Sequence, residues 1–469
     1  MKGPIRKEAR KAVRLVRGEA REVRGILGRI KRRNFSGNEG QAIKNSTYNF
    51  LTNVVAKVGS LAFTIILARI LMPEFFGLYS LALSTLVMFV SFTDLGLESG
   101  MVFFLSRALA KKNQTKVKSY FVYLSKIKLI LTLGVVSALL ILSDFLANTY
   151  YQKPIFIALI AGSLYVFLRS FFSFFKSVFF ALNRFDKPLV WETTFQILRL
   201  LLVPAITLMF IKSIHSSASN IYLVIIALSL AWLITILLVI LSSLKTLDFM
   251  KEPYKKILPE DKKFIRKTIL PLSTIALSGI FFGYIDMFVL GRAVSSEFIG
   301  FYQAAFSLVG AIVAVTTFSN ALLPIFSRMK GERFKRALMK AIKNNALLST
   351  FVAILAFALA PLIIKIAFGE AYHNAIILLR VFSILVIVLP LNALYSSSLV
   401  SQGKTGTLAK LLIFTTSINL ILNYLAVIIF RGMGDMTIVI GICLATILSK
   451  FVYLLMLFIS NKKLTSKLQ

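Results

Sequence analysis

Long apolar runs with few charges follow one another along most of this chain, LILTLGVVSALLILS and FVAILAFALAPLIIKIAF among them. A helical membrane crossing takes about 20 mostly apolar residues. Runs of that kind predict crossings near 45–70, 76–105, 120–143, 155–182, 189–211 and 219–244, and again near 264–291, 298–327, 336–364, 374–402, 407–430 and 436–460. None alternates with period two, as the strands of a transmembrane barrel must. The pattern therefore predicts an all-α polytopic membrane protein of about 12 transmembrane helices. The polar stretches divide it into a basic amphipathic segment (1–44), a six-helix lobe (45–244), a linker (245–263), a second six-helix lobe (264–460) and a tail (461–469).

One polar string occurs twice. Arg69, Glu74, Phe75, Gly77, Tyr79, Ala82 and Ser84 recur as Arg292, Glu297, Phe298, Gly300, Tyr302, Ala305 and Ser307, each pair 223 residues apart. Six crossings lie between the copies, an even number, so both enter the membrane in the same sense. Such parallel repeats commonly hold a transport site between the halves. Gly77 and Gly300 suit a tight turn or a close backbone approach. The two strings (Arg69, Glu74, Gly77 and Tyr79; Arg292, Glu297, Gly300 and Tyr302) are expected to form matched external turns that help close an outer mouth. Within them Arg69 and Arg292 are expected to cap the turn or pair with Glu74 and Glu297.

Composition agrees: 57% of residues are apolar and mean hydropathy is +0.81, against about 45–50% apolar in soluble domains. A net charge of +36 on a soluble face would suggest nucleic acid. Here the basic residues fall mainly between apolar runs, where they report topology, and no nucleic-acid partner is expected. The six connections assigned outside hold one each: Arg69, Lys153, Lys212, Arg292, Lys365 and Arg431. By the positive-inside rule both termini are expected to be cytoplasmic, in a multi-pass protein of the cell membrane. Residues 1–44 carry 14 Lys/Arg, with apolar residues three or four apart from Ile5 to Ile30. That is a basic amphipathic helix. Residues 1–33 either lie on anionic lipid, each basic side chain contributing ~1 kcal/mol, or form a solvated tail. One cysteine (Cys443) and two histidines (His215 and His373) leave no intrachain disulfide and no metal centre to expect. No signal peptide is read ahead of the first apolar run.

Charge at membrane depth is costly and marks candidate sites. Asn45, Asn49, Asn53 and Lys57 share a helical face, as do Asp94 with Glu98, Arg169 with Ser173 and Lys176, Glu192 with Gln196 and Arg199, and Asn419 with Asn423. The second copy has Thr268, Leu272, Ala276 and Ile280 for the first stripe, and Thr317 and Ala321 for Asp94 and Glu98. Asp286 and Arg380 are its main ionisable exceptions. Lys126, Lys128 and Lys450, near helix ends, are read as snorkelling. A link through Gln196 that neutralises Glu192 and Arg199 is the alternative to an open charge there. Lys57, Arg169 and Lys176 have few acids nearby, and cations gathered in a cavity suit an anionic ligand, arginine matching phosphate best.

Five segments resemble the Wzx-type polysaccharide flippases. They are ARILMPEFFGLYSLALS with TDLGLESG, YIDMFVLGRAVSSEFIGFYQAA, LPIFSRM, FGEAYHNAIILLRVFSILVIVLPLNALYSSSLVSQGKTG, and INLILN, and together they span about residues 40–460. That family shares a superfamily with MATE exporters and MurJ-type lipid II flippases. The resemblance implies two six-helix bundles about a central cavity of alternating access. It also implies a polyprenyl-(pyro)phosphate-linked oligosaccharide carried from the cytoplasmic to the external leaflet, with glycan-assembly enzymes as partners. On this reading the phosphate and acidic sugars bind Lys57, Arg169, Lys176 and Arg199, while Asn45, Asn49, Asn53 and Gln196 bond sugar hydroxyls. Asp94, Glu98, Glu192 or Asp286 would take a coupling proton or sodium ion. No catalytic residue, metal or other cofactor is expected. The rivals are a MATE-like organic-cation antiporter, which would prefer an acidic, aromatic cavity, and a membrane glycan ligase, which would more often carry a large external loop.

Overall fold

The computed structural model describes residues 37–244, 246–317 and 331–466, and among these every regular element is helical. The basic segment 1–33 lies outside the described residues. In chain order the helices are α1 (Gly37–Phe92), α2 (Leu97–Ala110), α3 (Gln114–Asp144), α4 (Phe156–Ala181), α5 (Asp186–Met209), the short α6 (Ile211–Ser216) and α7 (Tyr222–Leu244). The second half holds α8 (Pro259–Ala293), α9 (Ser296–Thr316), α10 (Gly331–Ala358), α11 (Ala360–Phe368), α12 (Ala375–Phe382), α13 (Leu385–Ser401), α14 (Thr405–Ile429) and α15 (Asp435–Ser466). A π-helical turn, Phe145–Tyr151, continues α3.

α1 is two limbs of a hairpin. Met72 has φ +60° and ψ 168°, ahead of Pro73, which supplies no amide hydrogen to a helix ladder. The rings of Phe63 and Tyr79 lie 6.5 Å apart, where one unbroken helix would separate them by about 24 Å. Among the described residues ten helical stretches are long and apolar enough to cross a membrane; Lys44–Ala110 is one of them and contains this hairpin. Counting both limbs, and α8 in the place expected of the seventh crossing, gives the expected twelve. Their outer faces suit lipid: Ile130, Ile141, Met209 and Leu347 are each more than 70% exposed.

The second crossing is not the single helix expected over 76–105. It breaks at Thr93–Gly96, where Leu95 and Gly96 have φ of +39° and +78°. Asp94 closes the break: its carboxylate accepts the backbone N–H of Glu98 (2.8 Å) and of Gly96 (3.3 Å). Asp94 and Glu98 therefore do not share a continuous helical face.

The duplicated strings meet each other. A β-carbon placed on Gly77 would overlap the carbonyl oxygen of Ser296, and one on Gly300 would overlap that of Pro73. Ser296 stands to Pro73 as Gly300 does to Gly77, so the contact is reciprocal about the repeat axis. These glycines serve a close backbone crossing, not a turn conformation. At the same face the Tyr372 hydroxyl donates to the Ala68 carbonyl (2.8 Å), and Tyr150 stacks on Phe288 (4.5 Å). Arg69 donates to the carbonyls of Ala367 (2.8 Å) and Ile366, at the C-terminus of α11. Pairing of Arg69 with Glu74 is thus replaced by capping of a helix in the other half, where a cation complements the dipole. Because Arg69 is solvent-exposed, Arg69→Ala is expected to destabilise by only about 1 kcal/mol, read as a lower unfolding temperature in detergent. Arg292, its counterpart, is exposed as well but acts electrostatically on Tyr150 where Arg69 caps a helix, so this part of the contact is not symmetric.

At the opposite face α2 and α8 touch through Gly100 on Ile269, Phe104 on Phe264 (5.6 Å) and Ser273 Oγ donating to the Leu95 carbonyl (2.6 Å). The 248–252 segment is tied to α3, where Lys118 donates to the carbonyls of Met250 (2.6 Å) and Glu252 (2.5 Å).

Candidate functional site

The charges of the first half form two neighbouring groups joined by Arg169. In the first, α4 and α5 turn polar faces toward the two limbs of α1. Spacing by three or four aligns Glu192, Gln196 and Arg199 on α5. Gln196 donates to Glu192 (2.8 Å) and accepts from Arg199 (2.6 Å). The link weighed as neutralising Arg199 is therefore formed, and it uses only one edge of the guanidinium. Phe63 (4.4 Å) and Phe195 (5.2 Å) lie against its faces; at a desolvated site each such contact contributes ~0.5–2 kcal/mol. Arg169 donates to the Tyr165 hydroxyl (2.5 Å) and lies 5.9 Å from the Trp232 ring. Tyr79, from the returning limb, and Tyr284, from α8, are within electrostatic reach of Arg169.

Three donors in this group are buried with no acceptor, Arg199 Nε, the Tyr79 hydroxyl and Trp232 Nε1. An unsatisfied buried donor costs ~1–3 kcal/mol, so an oxygen-rich anion between Arg169 and Arg199 would stabilise both. Tyr79, expected at the outer turn, instead faces this cationic pocket.

The second group centres on Glu98, in the first turn of α2. Its carboxylate is 4.0 Å from Lys128 Nζ, and Lys176 and Arg169 also act on it electrostatically. Lys128 does not snorkel. Its side chain is 0% exposed and donates to the Thr93 carbonyl (2.9 Å) and hydroxyl (3.3 Å). The chain break at Thr93–Gly96 turns that carbonyl away from helix bonding, a partner no span reading foresees.

The α1 stripe is not drawn into either group. Asn45 donates to Asn183 Oδ1 (3.2 Å), Asn49 is half-buried, and Asn53 and Lys57 are exposed. What the first limb of α1 brings to the pocket is Phe63 and Gly59, which packs against the Gln196 side chain.

The second half has a pocket of opposite polarity. Asp286, on α8 and 6% exposed, accepts from Tyr302 (2.8 Å), Asn423 (2.7 Å) and Thr446 (2.7 Å). Lys450 lies within electrostatic reach of it, so this lysine too is interior. Two carbonyl oxygens beside it, Asn419 Oδ1 and Asn423 Oδ1, are buried without a donor. Orphan acceptors around a carboxylate suit a small cation or a proton. Tyr302 belongs here, not to the outer turn.

Glu74 and Glu297, from the two turns, line one groove of about 360 Å³ with Met72, Pro73, Phe75 and His215. Arg380 is exposed, over Phe357 (5.6 Å). Lys365, outside the crossings, holds the Glu370 carboxyl below its usual range through a hydrogen bond, an exposed pair of little energetic weight. Among the described residues no cluster of His, Cys, Asp and Glu could hold a metal. Tyr165, Trp232 and Thr446 escape the sequence reading, because hydroxyls and aromatics are common in membrane helices and only tertiary packing selects these, while Tyr79 and Lys128 are singled out there in other roles, an outer turn and a snorkelling helix end.

A family model described as polysaccharide biosynthesis protein matches residues 42–330, and the MatE model matches 271–425. An uncharacterized membrane protein of Methanocaldococcus jannaschii, MJ1068, is 22% identical over 448 residues, covering 90% of this chain and 85% of that one. Among solved structures, an inward-facing MATE-family multidrug resistance transporter of the MOP superfamily has TM-score 0.66 at 17% identity, covering 90% of this chain and 98% of its own. An inward closed lipid II flippase, MurJ, has TM-score 0.67 at 16% identity, with coverage of 90% and 87%. These likenesses establish the fold.

Proposed function

The chain belongs to the polysaccharide biosynthesis protein family, and on that premise we propose that it carries a polyprenyl-(pyro)phosphate-linked oligosaccharide across the membrane. The observation that carries this reading is the set of unsatisfied donors around Arg169 and Arg199, namely Arg199 Nε, the Tyr79 hydroxyl and Trp232 Nε1. A phosphate offers several acceptor oxygens, and charge-assisted bonds to arginine are worth ~1.5–3 kcal/mol each. Lys176 extends the cationic surface. The sugar lies between the halves and the polyprenyl tail stays in lipid. Transfer runs from the cytoplasmic to the external leaflet, with both termini cytoplasmic as the positive-inside rule implies. No bond is made or broken.

Return of the empty carrier is coupled to a proton or sodium ion at Asp286, where the orphan oxygens of Asn419 and Asn423 complete the shell. Asp94 is occupied by its backbone caps, and Glu192 by Gln196. Asp286→Asn is expected to leave headgroup binding intact while flipping loses its dependence on an imposed ion gradient. Unchanged gradient dependence would remove Asp286 from the cycle.

Antiport of organic cations is the second reading, favoured by the MatE match over 271–425 and by the acidic pocket of the second half. Proteoliposomes separate the two. Transfer of a labelled diphosphate-linked sugar lipid, without gradient-driven ethidium uptake, is the expected result; ethidium uptake with no lipid transfer reverses the assignment.

A further inference from the structure

We propose that Glu98 is a resident counter-ion of the cationic pocket, displaced by the phosphate of the substrate with uptake of one proton. The inference rests on the anionic-substrate reading above and adds a regulatory consequence to it.

Glu98 has the geometry of a place-holder. Three cations act on it: Lys128 from α3, and Lys176 and Arg169 from α4. On its own segment the other acid is Asp94, whose oxygens are engaged by the N–H groups of Gly96 and Glu98. From α8 this segment meets Ile269 and Ser273, neither of them titratable. The Glu98 side chain is 32% exposed while Lys128 is 0% exposed. Lys128 is also held by two oxygens of Thr93, so its burial does not depend on the carboxylate. Glu98 thus balances the site electrically without being needed to pack it.

Arg169 belongs to both groups and connects the two. A phosphate bound between Arg169 and Arg199 brings a second anion to cations that Glu98 already neutralises. Phosphate accepts from a guanidinium in bidentate fashion and carries more charge, so it wins that competition. Two anions sharing one cluster favour protonation of the weaker acid, and Glu98 takes up the proton. The chain break before α2, with Leu95 and Gly96 at positive φ, lets the carboxyl withdraw without disturbing the returning limb of α1. Substrate binding then strengthens as pH falls, by up to about tenfold per unit for one linked proton.

The test uses the full chain in detergent and farnesyl diphosphate as probe, with farnesol as the uncharged control. Calorimetry in buffers of different ionisation enthalpy counts protons exchanged on binding. The expected result is about one proton more taken up by the wild type than by Glu98→Gln, which binds roughly tenfold tighter at pH 8. Titration of the diphosphate itself is common to both proteins and cancels in the difference. Glu98→Asp should retain the uptake. Equal proton counts in wild type and Glu98→Gln, with the diphosphate still preferred over farnesol, overturn the displacement alone. Equal affinity of the wild type for farnesyl diphosphate and farnesol overturns the anionic-substrate reading itself. If Glu98→Gln is not recovered folded, the wild type decides: binding to cations drives protons off a diphosphate, so net uptake supports Glu98 and net release overturns it.

Discussion

Replacing Arg169 and Arg199 together by glutamine is expected to reduce flipping of a diphosphate-linked sugar lipid by about 100-fold or more. Each arginine offers the headgroup a charge-assisted bond worth ~1.5–3 kcal/mol, or roughly 10- to 150-fold, and neither bond can be replaced by the neutral amide. The fold should survive, because both residues are half-buried and the ties they lose are local, to Tyr165 and Gln196. Lys57→Gln provides the comparison. Lys57 is exposed, apart from the aromatic pocket, and its loss should change flipping less than about threefold. Rates measured in proteoliposomes, on variants that elute as a single species, decide the matter. A double variant that keeps a tenth of wild-type activity, or a Lys57 variant equally impaired, would dismiss the pocket as the headgroup site.

The contrast between Lys57 and Arg199 shows where sequence reading ends. Both are basic residues at membrane depth on polar stripes, and spacing ranks them equally. Packing separates them: Arg199 is enclosed by Phe63 and Phe195 and held by Gln196, whereas Lys57 is exposed. The crossings themselves were legible because each must satisfy its backbone internally within apolar sequence, a requirement stated residue by residue along the chain. The break at Thr93–Gly96 was not legible, since a single Asp and Gly within a crossing also occur in unbroken membrane helices. That break reassigns Asp94 to capping and gives Lys128 its carbonyl.

The duplicated string packs as a repeat, each copy against the other, but its parts divide differently than their common spacing suggests. Gly77 and Gly300 make the crossing of the two halves. Tyr79 and Tyr302, two positions further on, turn inward to pockets of opposite polarity, one beside Arg199 and the other on Asp286. Equivalent tyrosines thus serve unsatisfied donors in one half and unsatisfied acceptors in the other. On the function proposed above, the anionic headgroup and the coupling cation would bind in different halves.

Gly77→Ala and Gly300→Ala are each expected to weaken closure of the face where the duplicated strings cross, and to do so equally. The added methyl meets a backbone carbonyl, of Ser296 or Pro73, which cannot rotate away as a side chain can. Overpacking of this kind costs ~1–3 kcal/mol, enough to shift a two-state equilibrium by about 5- to 150-fold toward separation of the halves. Glu74→Cys with Glu297→Cys reports the change, since both positions line one groove. A short bismaleimide should bridge them readily in the parent and poorly once either glycine is replaced, with flipping slowed in step. Gly134→Ala and Gly310→Ala are the controls, because a β-carbon at either meets nothing within 4 Å. Unchanged cross-linking and flipping in Gly77→Ala would mean that the crossing never has to form during transport. Loss of cross-linking at full transport rate would place the closure step somewhere other than this pair of backbones. Only the joint loss, shared by the two glycines and absent from the two controls, makes the repeated string a gate.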